Sequence, residues 1–287
     1  MSGYAELSNT SVTGKNGVVY TFRDTGGTGR VLVLFQHFRG NLDNWDPALI
    51  DALSSDRRVV TFNNQGVAGS TGVTPSTIGE MARGALTFMD ELSLDDVDLL
   101  GFSIGSFVAQ EILLTRPDLV HRAVLASAAP QGAPGMFGWA PEVIAKVGGR
   151  DPNPSGYLDV FFANSETSRE AGQAVIGRIY SPRNNPDAPT DWTTRLAQYD
   201  AVCAWGIPNT ALLERVTAIQ TPVFIANGDS DPMILPRYSH LLAGLIPNSQ
   251  IKIYPDSAHG FLFQHHKEFA GDVNRFLNEA REPPWAR

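Results

Sequence analysis

One stretch constrains this chain more than any other: Leu99-Leu100-Gly101-Phe102-Ser103-Ile104-Gly105-Ser106. An apolar, strand-like segment, Val97–Phe102, runs through Gly-x-Ser-x-Gly into an apolar helical pattern, Ile104–Leu114. A serine on so sharp a strand-to-helix turn is forced into strained backbone angles, and its hydroxyl is pushed above the sheet edge. Gly101 and Gly105 stand where side chains would collide across the turn. Glycine and serine are common residues, so the placement between strand and helix carries more weight than the pentapeptide.

The rest of the chain alternates around this stretch. Val18–Phe22, Val31–Gln36, Arg58–Phe62, Val97–Phe102, His121–Ala126, Val223–Ala226 and Gln250–Tyr254 read as strands. Between them, Pro47–Leu53 can start a helix, and Ile78, Met81, Ala82, Ala85, Leu86, Met89 and Leu92 fall at helical spacing. A helix from Pro236 and a final one burying Phe269, Ala270, Val273, Phe276 and Leu277 close the chain. Strand–helix alternation predicts an α/β fold, a mainly parallel sheet with helices on both faces. The alternation breaks between about Pro130 and Gln220, where Pro141–Val147, Tyr157–Ala163, Ser168–Tyr180 and Trp192–Trp205 read as helices. The expected organisation is therefore a core of residues 1–130 and 220–287 with a helical cap inserted at 131–219. Ligands of open α/β sheets bind beyond the carboxyl ends of the strands, where such a cap would shape and dry a pocket.

Composition narrows the function classes. Hydrophobic residues make up 43% of the 287 and charged residues 18%, which suits one large globular domain with an insertion. The net charge is −8 and the basic residues are scattered, so neither nucleic acid nor an anionic membrane surface is an expected partner. Cys203 is the only cysteine, which rules out an intramolecular disulfide or a thiolate metal cluster. The opening residues lack a basic segment followed by an apolar one, and no apolar run reaches membrane-spanning length. A cytoplasmic protein acting on a small molecule is expected, with no cofactor and no metal; self-association stays open.

A serine hydroxyl needs an adjacent base, and the base needs an orienting partner. Of the six histidines, His259 lies in a loop directly after the last strand, over the same sheet edge as Ser103. His121 belongs to the opposite edge, His240 to a helix, and His265 and His266 to the start of the final helix. For the orienting carboxylate, Asp229 and Asp231 compete in the turn after Val223–Ala226. Asp231, further out and nearer the expected histidine, is favoured, although turn capping explains an aspartate at either place. Two backbone N–H groups must meet the negative charge that develops on a carbonyl. Ile104, the residue after the serine, supplies one, and Phe38, in Gln36-His37-Phe38-Arg39-Gly40, is the candidate for the other.

These motifs together resemble the α/β-hydrolase superfamily, and within it the esterases and cofactor-free haloperoxidases that carry a helical cap. Gly101-Phe102-Ser103-Ile104-Gly105 resembles the nucleophile elbow, Gly228-Asp229-Ser230-Asp231 the acid turn, and Ala258-His259-Gly260-Phe261 the histidine loop. The order Ser, Asp, His is also the family's. The chain departs from the pattern twice. Gln36-His37 stands where the family usually has His-Gly, and Asn63-Asn64-Gln65-Gly66 stands where an Asp-x-Arg-Gly turn is frequent. His37 has two readings, bonding within its loop or facing the ligand, and the first is favoured. The amide turn is expected to support the fold.

Ser103, with Asp231 and His259, implies a serine hydrolase acting on a carboxylic ester or lactone of a small, largely apolar molecule through an acyl-enzyme. A carbon–carbon bond hydrolase, an acyltransferase or a perhydrolase could use the same three residues. A slow-turnover binding protein is the reading from another class. Arg39 follows Phe38 where peroxide-using relatives often carry proline, which lowers the perhydrolase option. Most large apolar residues of the insertion should pack the insertion itself. His37, Trp139 and Trp205 are the residues expected at the substrate pocket.

Overall fold

The computed structural model describes residues 3–150 and 154–279. Eight strands form one sheet: β1 (Thr10–Thr13), β2 (Val19–Asp24), β3 (Val31–Phe35), β4 (Val59–Phe62), β5 (Val97–Phe102), β6 (Val120–Ala126), β7 (Val223–Gly228) and β8 (Ser249–Tyr254). Their order is β1-β2-β4-β3-β5-β6-β7-β8. β2 pairs antiparallel with β1 and β4, and every other pairing is parallel. All positions of β5 are buried, as in a parallel strand covered on both faces. β1 carries no strand signal in the sequence, because Thr10–Thr13 is a polar and mostly exposed edge.

Helices α1 (Pro47–Leu53), α2 (Ile78–Glu91) and α3 (Ile104–Thr115) follow β3, β4 and β5 in turn. The predicted stripe of α2 is real: Ile78, Met81, Ala82, Ala85 and Met89 are buried, and Thr77 caps the helix by accepting from the Glu80 N–H. Between β6 and β7 lie only helices among the described residues: α4 (Pro141–Val147), α5 (Pro154–Phe161), α6 (Glu166–Ile179), α7 (Trp192–Trp205) and α8 (Thr210–Glu214), with a short 3₁₀ turn after them. α5 begins before Tyr157, at Pro154, and α6 before Ser168, because Ser165 caps it by accepting from the Ser168 N–H. α8 is five residues long and buries none of them, so it left no apolar pattern to read. α9 (Pro236–Leu245), α10 (Phe261–Gln264) and α11 (His266–Asn278) complete the chain. α11 packs on α1, and α2 on α3. No helix of the described residues is long and apolar enough to cross a membrane.

Polar ties fasten the helical segment to the sheet. Arg178 of α6 forms a two-pronged pair, at 2.8 and 2.7 Å, with Asp46, which is fully buried and also caps α1. Asp187 accepts from the Leu42 N–H and from Asn63 Nδ2, at 3.0 and 2.7 Å. Asn64 Nδ2 donates to the Met81 carbonyl. The amide-rich turn after β4 therefore anchors neighbouring segments.

Candidate active site

β3, β5, β7 and β8 are parallel, so their carboxyl ends open on one sheet edge. At the end of β5, Ser103 has φ 58° and ψ −125°, in the positive-φ region that L-residues seldom adopt. Surrounding contacts hold it there: the Ser103 N–H donates to the Ala126 carbonyl, and Ser106 Oγ donates to the Ser103 carbonyl. The flanking glycines are required by close approach. A Cβ on Gly101 would lie 2.4 Å from the Gly105 carbonyl oxygen, and one on Gly105 would lie 2.2 Å from that of Phe35.

Ser103 Oγ lies 2.9 Å from His259 Nε2, and His259 Nδ1 lies 2.7 Å from Asp231 Oδ2. An ionised carboxylate only accepts, so Nδ1 carries the imidazole proton and Nε2 accepts from the Ser103 hydroxyl. Asp231 Oδ1 accepts from the backbone N–H groups of Met233 and Ile234, at 2.8 and 3.0 Å. All three side chains are essentially shut off from solvent. Asp229 is placed differently. It is exposed, and it accepts from the N–H groups of Asp256 and Ser257 and from Ser230 Oγ. Its partial burial would raise its carboxyl pKa, but these donors outweigh that and hold it below the usual range. Asp229 joins the turn after β7 to the loop carrying His259, and Asp231 meets the ring.

The loop after β3 turns without the glycine that the family pattern would put at His37. Arg39 takes the left-handed conformation instead, with φ 60°, and its N–H donates to Gln198 Oε1 of α7 at 2.7 Å. Neither the Phe38 N–H nor the Ile104 N–H donates to an acceptor among the described residues. His37 bonds within its own loop and also borders a cavity. Its Nδ1 donates to the Phe38 carbonyl at 2.9 Å, and its ring lines a cavity shared with His259. Burial pushes its pKa down to about 3, against the raising effect of the Phe38 carbonyl, so the ring is neutral.

Two further aromatics frame His259. The Phe102 ring lies 5.1 Å away, tilted, and Phe161 of α5 meets it edge-on at 5.1 Å. The end of α5 is pinned there because the Gly260 N–H donates to the Phe161 carbonyl at 2.8 Å. Phe102 was visible only as the variable residue of the elbow. Phe161 had no positional signal at all, since its place depends on how α5 lies across the loop.

The cavity beside His259 has a volume of about 410 Å³, within the range of small-ligand sites. His37, Phe38, Tyr157, Phe161 and Met233 are among its walls. Trp139 and Trp205 are not, which corrects the expectation for them. Trp139 packs edge-on against Phe38, behind the loop, with centroids 4.8 Å apart. Trp205 stacks on Phe107 at 5.1 Å and donates Nε1–H to the Ala129 carbonyl, so it fills the base of the helical segment. Ser103 lies one hydrogen bond behind the wall, through His259. Among the described residues no cluster of His, Cys, Asp and Glu could hold a metal ion.

This sheet order, with a serine elbow after β5 and an acid and a histidine after β7 and β8, defines a hydrolase-type fold. A model of the alpha/beta hydrolase fold family matches residues 30–266, and the chain belongs to that family. It superposes on an alpha/beta hydrolase fold protein from Chitinophaga pinensis with a TM-score of 0.91 and 34% identity, covering 97% of this chain and 100% of that one. It is 25% identical over 266 residues to a pimeloyl-(acyl-carrier protein) methyl ester esterase of Aliivibrio salmonicida, covering 90% of this chain and 96% of the relative. An enol-lactonase from Burkholderia xenovorans LB400 shares the fold, with a TM-score of 0.76 at 21% identity over 94% of this chain and all of the other.

Proposed function

We propose that the protein is a serine hydrolase that cleaves a carboxylic ester or lactone of a small molecule through an acyl-enzyme. One observation carries this reading: the unbroken chain Ser103 Oγ–His259–Asp231 beside two uncommitted backbone N–H groups at a single sheet edge. Ser103 Oγ attacks the carbonyl carbon as its proton passes to His259 Nε2. The carbonyl oxygen takes up the electron pair and is held by the N–H groups of Phe38 and Ile104. Collapse of this intermediate breaks the bond to the leaving oxygen, which takes the proton from Nε2. Water then attacks the acyl-enzyme, gives a proton to Nε2, and the carboxylic acid leaves as Ser103 recovers its proton. Asp231 holds the required tautomer and stabilises the imidazolium throughout. The helices of residues 131–219 act as a cap that keeps bulk water from the reacting carbonyl; Phe161, seated against His259, supports this role.

The named relatives include an ester hydrolase and a lactone hydrolase, which is in keeping with this substrate class. A fluorophosphonate probe should label Ser103, and Ser103→Ala should lose turnover of short p-nitrophenyl esters. Absence of labelling, together with full turnover by Ser103→Ala, would overturn the mechanism. Steady turnover, as opposed to a single burst, separates an enzyme from a binding protein on the same fold.

A further inference from the structure

The loop that carries His259 is held from the helical segment as well as from the sheet. The His259 N–H donates to the Val160 carbonyl at 3.4 Å, and the Gly260 N–H donates to that of Phe161. Val160 and Phe161 end α5, where the carbonyls have run out of helical donors, so the loop completes that helix end. Shortly before His259, Asp256 takes a left-handed φ of 50°, uncommon outside glycine, and its N–H, carbonyl and carboxylate are each fastened. The N–H donates to Asp229 Oδ2 at 2.8 Å, and the carbonyl accepts from Gln264 Nε2 at 2.7 Å. Gln264 Oε1 in turn accepts from Ser168 Oγ of α6 at 2.7 Å. The Ser168 hydroxyl is fully buried and also accepts from the Ala163 N–H, so its own proton is free for Gln264. A carbonyl only accepts, so one orientation of the Gln264 amide serves both partners. Ser165, the cap of α6, adds a second tie by donating Oγ–H to Asp256 Oδ2 at 2.7 Å.

We propose that Gln264 is a positioning residue for His259, and that with Ser165 and Ser168 it makes the α5–α6 corner a fixed part of the catalytic framework. Gln264 touches no reacting atom. It acts through Asp256, whose backbone sets the path of the loop into His259, and it anchors that path on a buried hydroxyl of α6. The corner cannot lift from this side as a lid. Raising it draws the loop after it and breaks the 2.9 Å contact between His259 Nε2 and Ser103 Oγ. A small displacement there is costly, because proton transfer needs the two atoms in hydrogen-bond reach. The proposal rests on the serine-hydrolase reading for the reaction it serves; the setting of the His259 ring can be measured apart from turnover.

The test uses Gln264→Glu in the full chain. The ionised carboxylate keeps the size of the side chain and the acceptor for Ser168, but has no proton for the Asp256 carbonyl. It is expected to lower kcat on p-nitrophenyl acetate by about tenfold, with KM within about twofold of the parent. The low-field proton resonance of His259 Nδ1–H, held in the parent by Asp231, should broaden as that proton exchanges faster. Ser165→Gly keeps most of the helix cap and should show a smaller loss of kcat, about threefold, which Ser165→Thr restores. Arg178→Met, which loosens α6 at its tie to Asp46 and not at the loop, should leave kcat and the resonance unchanged. Parent kcat or an unchanged resonance in Gln264→Glu overturns the proposal, even where the urea midpoint falls. An equal loss of kcat in Arg178→Met also overturns it, because general loosening of the segment would then be the cause. If the parent itself turns over no ester, the hydrolase reading fails and the resonance alone decides: broadening in Gln264→Glu upholds the positioning role, and no change overturns it.

Discussion

Asp229 and Asp231 are the same residue type two positions apart, yet their surroundings set them to different work. Asp231 is buried against the imidazole, while Asp229 spends its lone pairs on backbone N–H groups at the surface. Asp231→Asn should lower kcat on short p-nitrophenyl esters by roughly 10³–10⁴-fold, because an amide no longer holds the productive tautomer. Asp229→Asn should stay within about threefold of the parent, since it touches no reacting atom. The reverse ranking would reassign the acid. His37 makes a second prediction at this scale. Its folded pKa is depressed to about 3 by burial, below the ordinary value near 6.5. Between those values the unfolded chain binds a proton that the folded one does not. The stability linked to His37 is therefore fully present above pH 6.5 and is lost as the pH falls toward 3, by at most about 1.4 kcal/mol per pH unit. Urea unfolding at pH 5 and pH 7.5 should show a smaller loss in His37→Gln than in the parent. His266, also depressed by burial, is common to both proteins and drops out of the comparison. Equal losses would show that His37 does not titrate in this way.

At the scale of elements, the elbow is a packing problem before it is a chemical one. β5 and α3 meet so closely that Gly105 lies against the Phe35 carbonyl of the neighbouring strand. Gly105→Ala puts a methyl group into backbone that cannot move without disturbing β3, and should destabilise the fold by about 2–3 kcal/mol or more, read as a lower urea midpoint. An unchanged midpoint would mean that the two elements sit further apart than described. α5 makes a different contribution. Phe161 stacks on Tyr157 with centroids 3.8 Å apart, is almost wholly buried, and meets His259 edge-on. Phe161→Ala should cost roughly 3–5 kcal/mol of stability as a cavity opens over the histidine. A fall in kcat larger than the rise in KM would show that the ring positions His259 and does more than line the pocket.

For the whole molecule, the helical segment is held by a few polar ties as well as by its apolar floor. Arg178→Met removes the partner of Asp46, whose carboxylate is buried but keeps its bond to the Ala48 N–H. Arg178 is about one-third exposed, which discounts the pair, so a loss of about 1–2 kcal/mol is expected. Hydrogen exchange should report it locally, with faster exchange in α6 and unchanged protection in β3 and β5. Uniform loss of protection would mean that the segment and the sheet unfold together.

Strand–helix alternation, the elbow glycines and the order Ser103, Asp231, His259 were legible in the chain, because each follows from short-range rules. Apolar periodicity reports which face of an element is buried, and a tight turn admits few residue types. The amino acid order also placed His259 and the acid turn at one sheet edge, since parallel strands share their carboxyl ends. β1 and α8 escaped because neither buries enough apolar surface to leave a pattern. Trp139 and Trp205 were expected at the pocket on size and apolarity alone, properties shared by packing residues and ligand walls. Only the tertiary structure decided which side of the helical segment faces His259. It set Phe161 over the ring, turned Trp205 onto Phe107, and brought Arg39, Lys146 and Arg150 to one wall. The two ring contacts each join residues 98 positions apart, and they depend on the angle at which whole helices pack, a quantity that local sequence rules do not encode.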